Sequence, residues 1–262
     1  MEAVVSVPGA EPWSAPGAGS RAAVGVAVIH GFTSNPNATR PLGQRLAAEG
    51  YAVEVPLLPG HGTNHRDLAT TRYRDWAAAA ERVLDHLLTG CTTVVLIGHS
   101  VGGTIALDLA SRRPDDVDGV AVINPLVADP DKPIAKIAPV LQYLVPYLPR
   151  DLGGMPTDDI ARPGVEEGAY AIVSVKAGAS FLPELKRIRS QLIDLTQPLL
   201  LAWSPDDHTV PPQSSAELKE LVGTPDLTEI VCDRSYHVIL MDYDGPRVEQ
   251  AVVDFVRRVA GE

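Results

Sequence analysis

The sequence predicts an α/β fold in which a mostly parallel central sheet carries helices on both faces. Short runs of β-branched residues alternate along the chain with longer stretches of helical period, which is typical of a parallel sheet. The length of 262 residues is enough for one large domain with a full core. Apolar residues make up 45% and charged residues 21%, an ordinary globular composition. We therefore expect a single domain spanning residues 1–262.

The predicted strands are short apolar runs between turns and helices. The run at 24–29 is β-branched and nearly unbroken, so it is expected at the centre of the sheet, where both faces are buried. The other strands are predicted at 51–55, 93–97, 119–123, 198–203 and 227–231. The first twenty residues are compatible with an additional edge hairpin.

The predicted helices follow from apolar residues at three- and four-residue spacing. This spacing is clearest over 73–88, where the repeating positions are Trp76, Ala80, Val83, Leu84 and Leu87. A helix over 39–49 is expected to end at Gly50, because glycine is favoured just past a helix end. Two further helices are predicted at 102–112 and 248–259.

Residues 125–197 interrupt this alternation. The segment is rich in proline and contains no clear strand, although short helices are expected at 134–148 and 184–192. An insertion of this size between two sheet strands is more typical of a functional cap than of a structureless loop. We therefore predict a small helical cap inserted late in the sheet. The apolar stripe on its first helix either packs on the sheet or covers a ligand pocket; the stripe consists of Ile137, Val140, Leu141, Leu144 and Leu148.

The charge balance argues against some classes of partner. There are 33 acidic and 22 basic residues, which gives a net charge of −11 and disfavours nucleic acid and anionic membrane as partners. The two cysteines, Cys91 and Cys232, are too few for a disulfide framework. The start of the sequence lacks the basic and apolar regions of a signal peptide, and no stretch approaches the ~18 apolar residues of an integral membrane segment. A soluble, cytoplasmic protein is expected.

A candidate nucleophile lies where the predicted strand 93–97 meets the predicted helix 102–112. The residues between them contain Gly98-x-Ser100-x-Gly102, and this motif in a strand–turn–helix context indicates a nucleophilic serine on a sharp turn. The glycines are needed because a Cβ at either position would clash with the backbone of the turn. The turn also places Ser100 at a helix N-terminus, where free N–H groups favour a developing negative charge.

A serine of this kind needs a histidine base and an acid, which follow it in chain order for this motif. Of the seven histidines, this order excludes five, and His208 abuts the acid candidates, so His237 remains as the base, in a loop after the last predicted strand. The acid is expected in the loop after the strand 198–203, where Asp206 and Asp207 are adjacent. Only one of the two carboxylates can face the imidazole, and the residues alone leave the choice open.

The oxyanion of the tetrahedral intermediate needs two preorganised N–H donors. One is expected from Val101, which follows the nucleophile, and the other from Phe32 in the loop after the first central strand. His61 and His65 are spaced four apart, as metal ligands sometimes are, but no acidic or cysteine motif joins them, so no metal site is predicted.

Five motifs in order resemble the small bacterial carboxylesterases and monoacylglycerol lipases of the α/β-hydrolase superfamily. They are HGFT at 30–33, LPGHGT at 58–63, GHSVGG at 98–103, DHTVP at 207–211 and SYHV at 235–238. The likeness spans about residues 24–259 and implies a triad of Ser100, Asp207 and His237, with oxyanion donors at Phe32 and Val101. It thereby favours Asp207 over Asp206.

The activity implied by this resemblance is a serine carboxylesterase or monoacylglycerol lipase that forms an acyl-enzyme on a small-molecule ester or monoglyceride. No cofactor and no metal are implied. A thioesterase or amidase with the same triad is the nearest alternative, because the same groups serve any activated acyl substrate. A ligand-binding receptor with the hydrolase fold is a further alternative of a different class.

Overall fold

A computed structural model describes residues 7–128, 133–152 and 155–262 of the chain. Its main sheet has the strand order β1-β3-β2-β4-β5-β8-β9 over the described ranges, with β1 antiparallel and the other pairs parallel. The strands are β1 (Trp13–Ala15), β2 (Val24–Ile29), β3 (Ala52–Val55), β4 (Thr93–His99), β5 (Gly119–Ile123), β6 (Tyr147–Pro149), β7 (Ile172–Ser174), β8 (Leu199–Trp203) and β9 (Leu227–Val231).

Helices lie on both faces of this sheet. The helices of the described ranges are α1 (Arg40–Ala48), α2 (His65–Leu68), α3 (Tyr73–Leu88), α4 (Val101–Arg112), α5 (Pro133–Leu141), α6 (Val175–Ala179), α7 (Phe181–Gln191), α8 (Gln213–Leu221) and α9 (Gly245–Val259). Short 3₁₀ helices occupy Gly19–Arg21, Pro36–Ala38, Leu192–Asp194 and Ile239–Met241. Within the described ranges, no helix is both long and apolar enough to cross a membrane.

The alternating side chains of the central strands build two separate cores. On β4, Leu96 joins a cluster with α3 and α4, whereas its neighbour Ile97 joins a second cluster with α1 and α9. This two-sided burial explains why β2 and β4 are nearly continuous apolar runs. The predicted architecture of a mostly parallel sheet between two layers of helices is confirmed.

The element boundaries agree closely with those expected from the sequence. The edge of the sheet differs: a single antiparallel strand, β1, pairs with β3 where a hairpin was considered, and residues 1–6 lie outside the described residues. Helix α9 begins three residues earlier than predicted, with Pro246 in its first turn. Proline suits that position because its missing N–H would have no intrahelical partner there.

The segment between β5 and β8, which we call the insertion (residues 124–198), departs further from expectation. It contains a short antiparallel pair, β6 with β7, in a region whose sequence shows no clear strand. The helix predicted over 134–148 ends at Leu141 instead. Pro146 excludes helix over the last residues of the predicted range, because it cannot donate a helical hydrogen bond and disfavours helix in the residue before it. The predicted helix at 184–192 corresponds to α7, which starts earlier and carries Pro183 in its first turn. Residues 129–132 and 153–154 of the predicted cap lie outside the described residues.

Parallel pairing brings the carboxyl ends of the central strands to one edge of the sheet. Register places Ile29 beside Gly98 and His99 beside Ile123, so β2, β4 and β5 end at the same level. Ligand sites of open α/β sheets lie outside this edge. The insertion leaves the sheet from the same edge, after β5, and returns into β8.

Candidate active site

Ser100 sits on a strained turn between β4 and α4. Its backbone has φ 54° and ψ −124°, in the left-handed half of the map that a residue with a Cβ rarely adopts. Holding a non-glycine residue there costs on the order of 1–3 kcal/mol. The turn stays closed because β4 and α4 approach closely: a Cβ at Gly98 would lie 2.2 Å from the carbonyl oxygen of Gly102. A Cβ at Gly102 would lie 2.3 Å from the carbonyl oxygen of Ile29. The steric role expected for both glycines is therefore present.

The structure brings His237 to Asp207. Nδ1 of His237 lies 2.7 Å from Oδ2 of Asp207, and both side chains are almost fully buried. The second carboxylate oxygen of Asp207 accepts the backbone N–H groups of Thr209 and Val210, at 2.8 Å and 2.7 Å. These bonds fix the carboxylate plane, so that one oxygen is left for the imidazole. The neighbouring Asp206 is exposed.

Two buried side chains hold the backbone of His237 in place, and sequence reasoning missed this role for both. The carbonyl oxygen of His237 accepts hydrogen bonds from Nδ2 of Asn124 at 2.7 Å and Nε2 of His99 at 2.9 Å. Asn124 also accepts the N–H of Ser204 through Oδ1, at 2.9 Å, and so connects the loop after β8 to the histidine loop. A polar residue directly after β5 was the one sequence signal for this contact.

The loop after β2, residues 30–36, carries the other predicted donor. Phe32 and Val101 both line the cavity described below, as does Ser100. Val101 is the first residue of α4, so its N–H has no partner within the helix. Thr33, which follows Phe32, has φ 65°, an uncommon conformation for a β-branched residue. Hydrogen bonds from the insertion hold this loop, as described below.

Ser100 and His237 face one apolar cavity of about 230 Å³. Its apolar walls come from the insertion, from α3 and from the loops at the strand ends, and they include Trp76, Leu126, Leu148, Met155, Val173, Val175, Phe181, Leu182 and Val210. Among the described residues that line it, Arg150 is the one Asp, Glu, Lys or Arg side chain. The site is suited to an uncharged, apolar ligand group.

The residues of the apolar stripe expected on the insertion do not share one environment: one lines the cavity and others are exposed to solvent. Leu148 lines the cavity, as does Ala138 of α5. In contrast, Val140 and Leu144 are 68% and 77% exposed, so they neither cover the cavity nor pack on the sheet. Within α5 itself, Ile137 and Val140 face solvent, whereas Leu144 and Leu148 lie beyond its end, where the helical spacing no longer applies.

Three buried histidines surround the site in the neutral form. Burial lowers the pKa of His99 to about 3 and that of His61 to about 4, and it lowers the pKa of His30 well below its usual value. Nε2 of His30 accepts the N–H of Leu58 at 3.1 Å, which requires that this nitrogen be unprotonated. Over the described ranges, no three His, Cys, Asp or Glu side chains are arranged to hold a metal ion.

These lowered pKa values make folding sensitive to acid. The unfolded chain takes up a proton on His61 near pH 6.5, whereas the folded chain does so only near pH 4. The contribution of the neutral His61 to stability is therefore fully present above pH 6.5 and is lost as pH falls toward 4. We expect the free energy of unfolding of His61→Phe, which keeps a buried ring, to depend less steeply on pH than that of the wild type. The difference in slope is expected to be about 1.4 kcal/mol per pH unit between pH 6 and 4.5. Urea unfolding at several pH values measures this slope. His86→Gln, at a side chain that is 70% exposed, is the control and is expected to follow the wild type. Parallel slopes for wild type and His61→Phe would show that His61 is not held neutral.

The chain is similar in sequence to known serine hydrolases. The family model described as "Serine aminopeptidase, S33" (Hydrolase_4) matches residues 20–244. The chain is 33% identical to the thermostable monoacylglycerol lipase of Bacillus sp. (strain H-257), over 97% of this chain and 96% of that enzyme. It is 24% identical to a carboxylesterase of Bacillus subtilis (strain 168), over 89% of this chain and 92% of that protein.

Solved structures show the same relationship. A structure from work on LipS and LipT, two metagenome-derived lipolytic enzymes, superposes with a TM-score of 0.89 at 28% identity, covering 96% of this chain and 99% of that one. The monoacylglycerol lipase of Paleococcus ferrophilus has the same fold, with a TM-score of 0.78 at 24% identity, covering 95% of this chain and 99% of that one. The chain belongs to the family of the matching model and is a serine ester hydrolase with the α/β-hydrolase fold, of the monoacylglycerol lipase and esterase type.

Proposed function

We propose that the chain hydrolyses carboxylic esters of apolar acyl chains, monoacylglycerols among them, through an acyl-enzyme on Ser100. The observation that supports this most strongly is the 2.7 Å hydrogen bond between His237 and Asp207, with His237 and Ser100 facing one apolar cavity. In the same proposal, residues 125–197 form a cap over that cavity within a single domain. The two free cysteines agree with a cytoplasmic location, where thiols stay reduced.

The reaction then follows from the roles of these groups. Ser100 attacks the acyl carbon while Nε2 of His237 accepts its proton, and Asp207 stabilises the imidazolium that forms. The N–H groups of Phe32 and Val101 bind the oxyanion of the tetrahedral intermediate. The alcohol leaves with a proton from His237, and a water molecule hydrolyses the acyl-enzyme by the same steps in reverse.

The cavity favours an acyl group over a peptide. The aminopeptidase in the family description would need a carboxylate to pair with the free ammonium of its substrate. Among the described residues that line the cavity there is no Asp or Glu, and the one permanently charged side chain is the cation Arg150. An apolar chain instead gains about 0.8 kcal/mol for each methylene that it buries, close to fourfold in affinity.

This proposal predicts a dependence on acyl length. We expect kcat/KM on p-nitrophenyl esters to rise with acyl length and then to fall once the cavity is full, since each buried methylene contributes until space runs out. Leu148→Trp fills part of the cavity and is expected to shift the optimum to shorter chains without lowering the rate on acetate. The same change at the exposed Leu144 is the matched control and is expected to leave the profile unchanged.

A panel of substrates separates the proposed function from its alternatives. Monoglycerides, simple esters, thioesters, amides and aminoacyl-p-nitroanilides of matched acyl group are compared by kcat/KM. The proposal expects the oxygen esters to be the best substrates; a preference for thioesters or amides would assign the site to those reactions. Tight binding without steady-state turnover would identify a receptor. An equal loss at every acyl length in Leu148→Trp would place the acyl chain outside this cavity.

A further inference from the structure

The insertion contacts the loop 30–36 through a buried ion pair. Arg150 and Glu167 are both almost fully buried, and Nη1 of Arg150 lies 3.7 Å from Oε1 of Glu167. The pair reaches the loop through two hydroxyl groups: Nη1 of Arg150 donates to Oγ1 of Thr33 at 3.0 Å, and Oγ of Ser34 donates to Oε2 of Glu167 at 3.1 Å. Neither charged residue was assigned a role from the sequence.

The Thr33 hydroxyl extends this contact to Phe32. It donates to the carbonyl oxygen of Phe32 at 2.6 Å while accepting from Arg150, so the three residues form a continuous chain of hydrogen bonds. The carbonyl oxygen of Thr33 in turn accepts the N–H of Tyr170 at 3.2 Å. The peptide between Phe32 and Thr33 is therefore held at its carbonyl by a hydroxyl that is itself held by a cation.

Thr33 needs such support because its φ of 65° is unfavourable for a β-branched residue. Without these bonds, rotation of the peptide between Phe32 and Thr33 would relieve φ at Thr33 and change ψ at Phe32. This rotation would move the Phe32 carbonyl. The N–H that we assign to the oxyanion belongs to the preceding peptide, between Gly31 and Phe32, so the bond at the Phe32 carbonyl acts on it indirectly, by fixing the position of Phe32 in the loop. Asn35 adds a second attachment, since its Nδ2 donates to the carbonyl oxygens of Glu167 and Gly168 at 3.1 Å and 3.2 Å.

We infer that Arg150, paired with Glu167, is a positioning residue that orients the Phe32 N–H through the Thr33 hydroxyl. This inference rests on the proposed function, because it concerns the oxyanion of that reaction. It makes the insertion part of the catalytic apparatus: besides lining the cavity, it holds half of the oxyanion site in its working conformation.

The variants Thr33→Val and Thr33→Ser test the chain of hydrogen bonds. Valine keeps the β-branched shape and removes the hydroxyl, whereas serine keeps the hydroxyl, so serine is the matched control. We expect Thr33→Val to lower kcat about 10- to 100-fold with KM changed by less than about threefold, because a small displacement of a transition-state donor costs rate rather than substrate binding. Thr33→Ser is expected to stay within about threefold of the wild type.

Arg150 is tested with its partner neutralised at the same time, since removal of one charge alone would leave the other buried and unpaired. Arg150→Met with Glu167→Gln is expected to reproduce the effect of Thr33→Val. A trifluoromethyl ketone of matched acyl chain, which forms a tetrahedral oxyanion adduct, supplies the specific measurement. Its Ki is expected to rise by the same factor as kcat falls, while the Ki of an unreactive ether analogue stays constant.

Three results would overturn the inference. The first is wild-type kcat in Thr33→Val, and the second is a loss of kcat without a loss of affinity for the ketone. The third is a rise in KM alone when Arg150→Met is combined with Glu167→Gln, which would make Arg150 a substrate contact. Failure of the proposed function is recognised separately. The final extent of labelling by a fluorophosphonate reports whether Ser100 is the nucleophile. A misoriented Phe32 would slow this labelling but would not change its final extent.

Discussion

Replacing Ser100 with alanine is expected to lower kcat for ester hydrolysis by about 10⁶-fold, the usual cost of losing a triad nucleophile. Residual turnover above the rate in water is expected to persist, because the oxyanion donors remain. Alanine adds no bulk at the strained turn, where φ is 54°, so the fold should be kept. The measurement is steady-state hydrolysis of a p-nitrophenyl ester, with circular dichroism and thermal unfolding as checks on the fold.

Ser174 offers a matched control for this variant. It lines the same cavity and is almost fully buried, but its hydroxyl oxygen accepts the N–H of Ala177 and caps α6. Ser174→Ala is expected to lose about 1 kcal/mol of stability and to keep its activity within a few-fold. A fluorophosphonate should label Ser100 in the wild type and in Ser174→Ala, and nothing in Ser100→Ala. A Ser100→Ala enzyme with a tenth of wild-type activity would exclude Ser100 as the nucleophile.

The parts of this molecule that were predictable from sequence are those set by local geometry. The turn at Ser100 is one example, because its flanking glycines are required by contacts within a few residues of it or with the adjacent strand. The strands could be predicted equally well, since burial on both faces leaves a continuous apolar run in the sequence.

Contacts between distant parts of the chain left no comparable pattern. Ser34 and Glu167 are 133 positions apart, and Thr33 and Arg150 are 117 apart. Their pairing depends on how the insertion folds back over the strand ends, and in that segment even the pairing of β6 with β7 was not predicted. In the sequence, a charged residue in such a segment cannot be distinguished from an ordinary surface residue, because its burial is not known.

The choice between Asp206 and Asp207 lies between these extremes. Two adjacent aspartates have the same chemistry, and sequence reasoning separated them only by family resemblance. The structure gives them different surroundings: Asp207 is buried and hydrogen-bonded to His237, and Asp206 is exposed. A difference of one position therefore reverses the environment of the carboxylate, and this difference can be tested by mutation.

Asp207→Asn is expected to lower kcat by about 10⁴-fold, as amide replacement of a triad acid does when the wrong imidazole tautomer is held. The N–H groups of Thr209 and Val210 point at Oδ1 and require an acceptor there. The amide introduced by this substitution would therefore keep its oxygen toward them and turn its NH₂ group toward Nδ1 of His237. Nδ1 would then have to accept, and the proton would move to Nε2, which could no longer take the proton of Ser100.

Asp206→Asn makes the same chemical change one residue away and is the matched control. Its side chain is exposed, so both activity and stability are expected to stay near the wild type, since surface substitutions usually change stability by less than about 0.5 kcal/mol. kcat is measured for both variants on one ester, and far-ultraviolet circular dichroism confirms that each is folded. If Asp206→Asn were the more damaging, the acid would have to be Asp206, and the loop after β8 would have to turn by one residue and break both backbone bonds to Asp207. If neither variant lost more than tenfold, the pairing of Asp207 with His237 would serve folding, and the base would act without an acid partner.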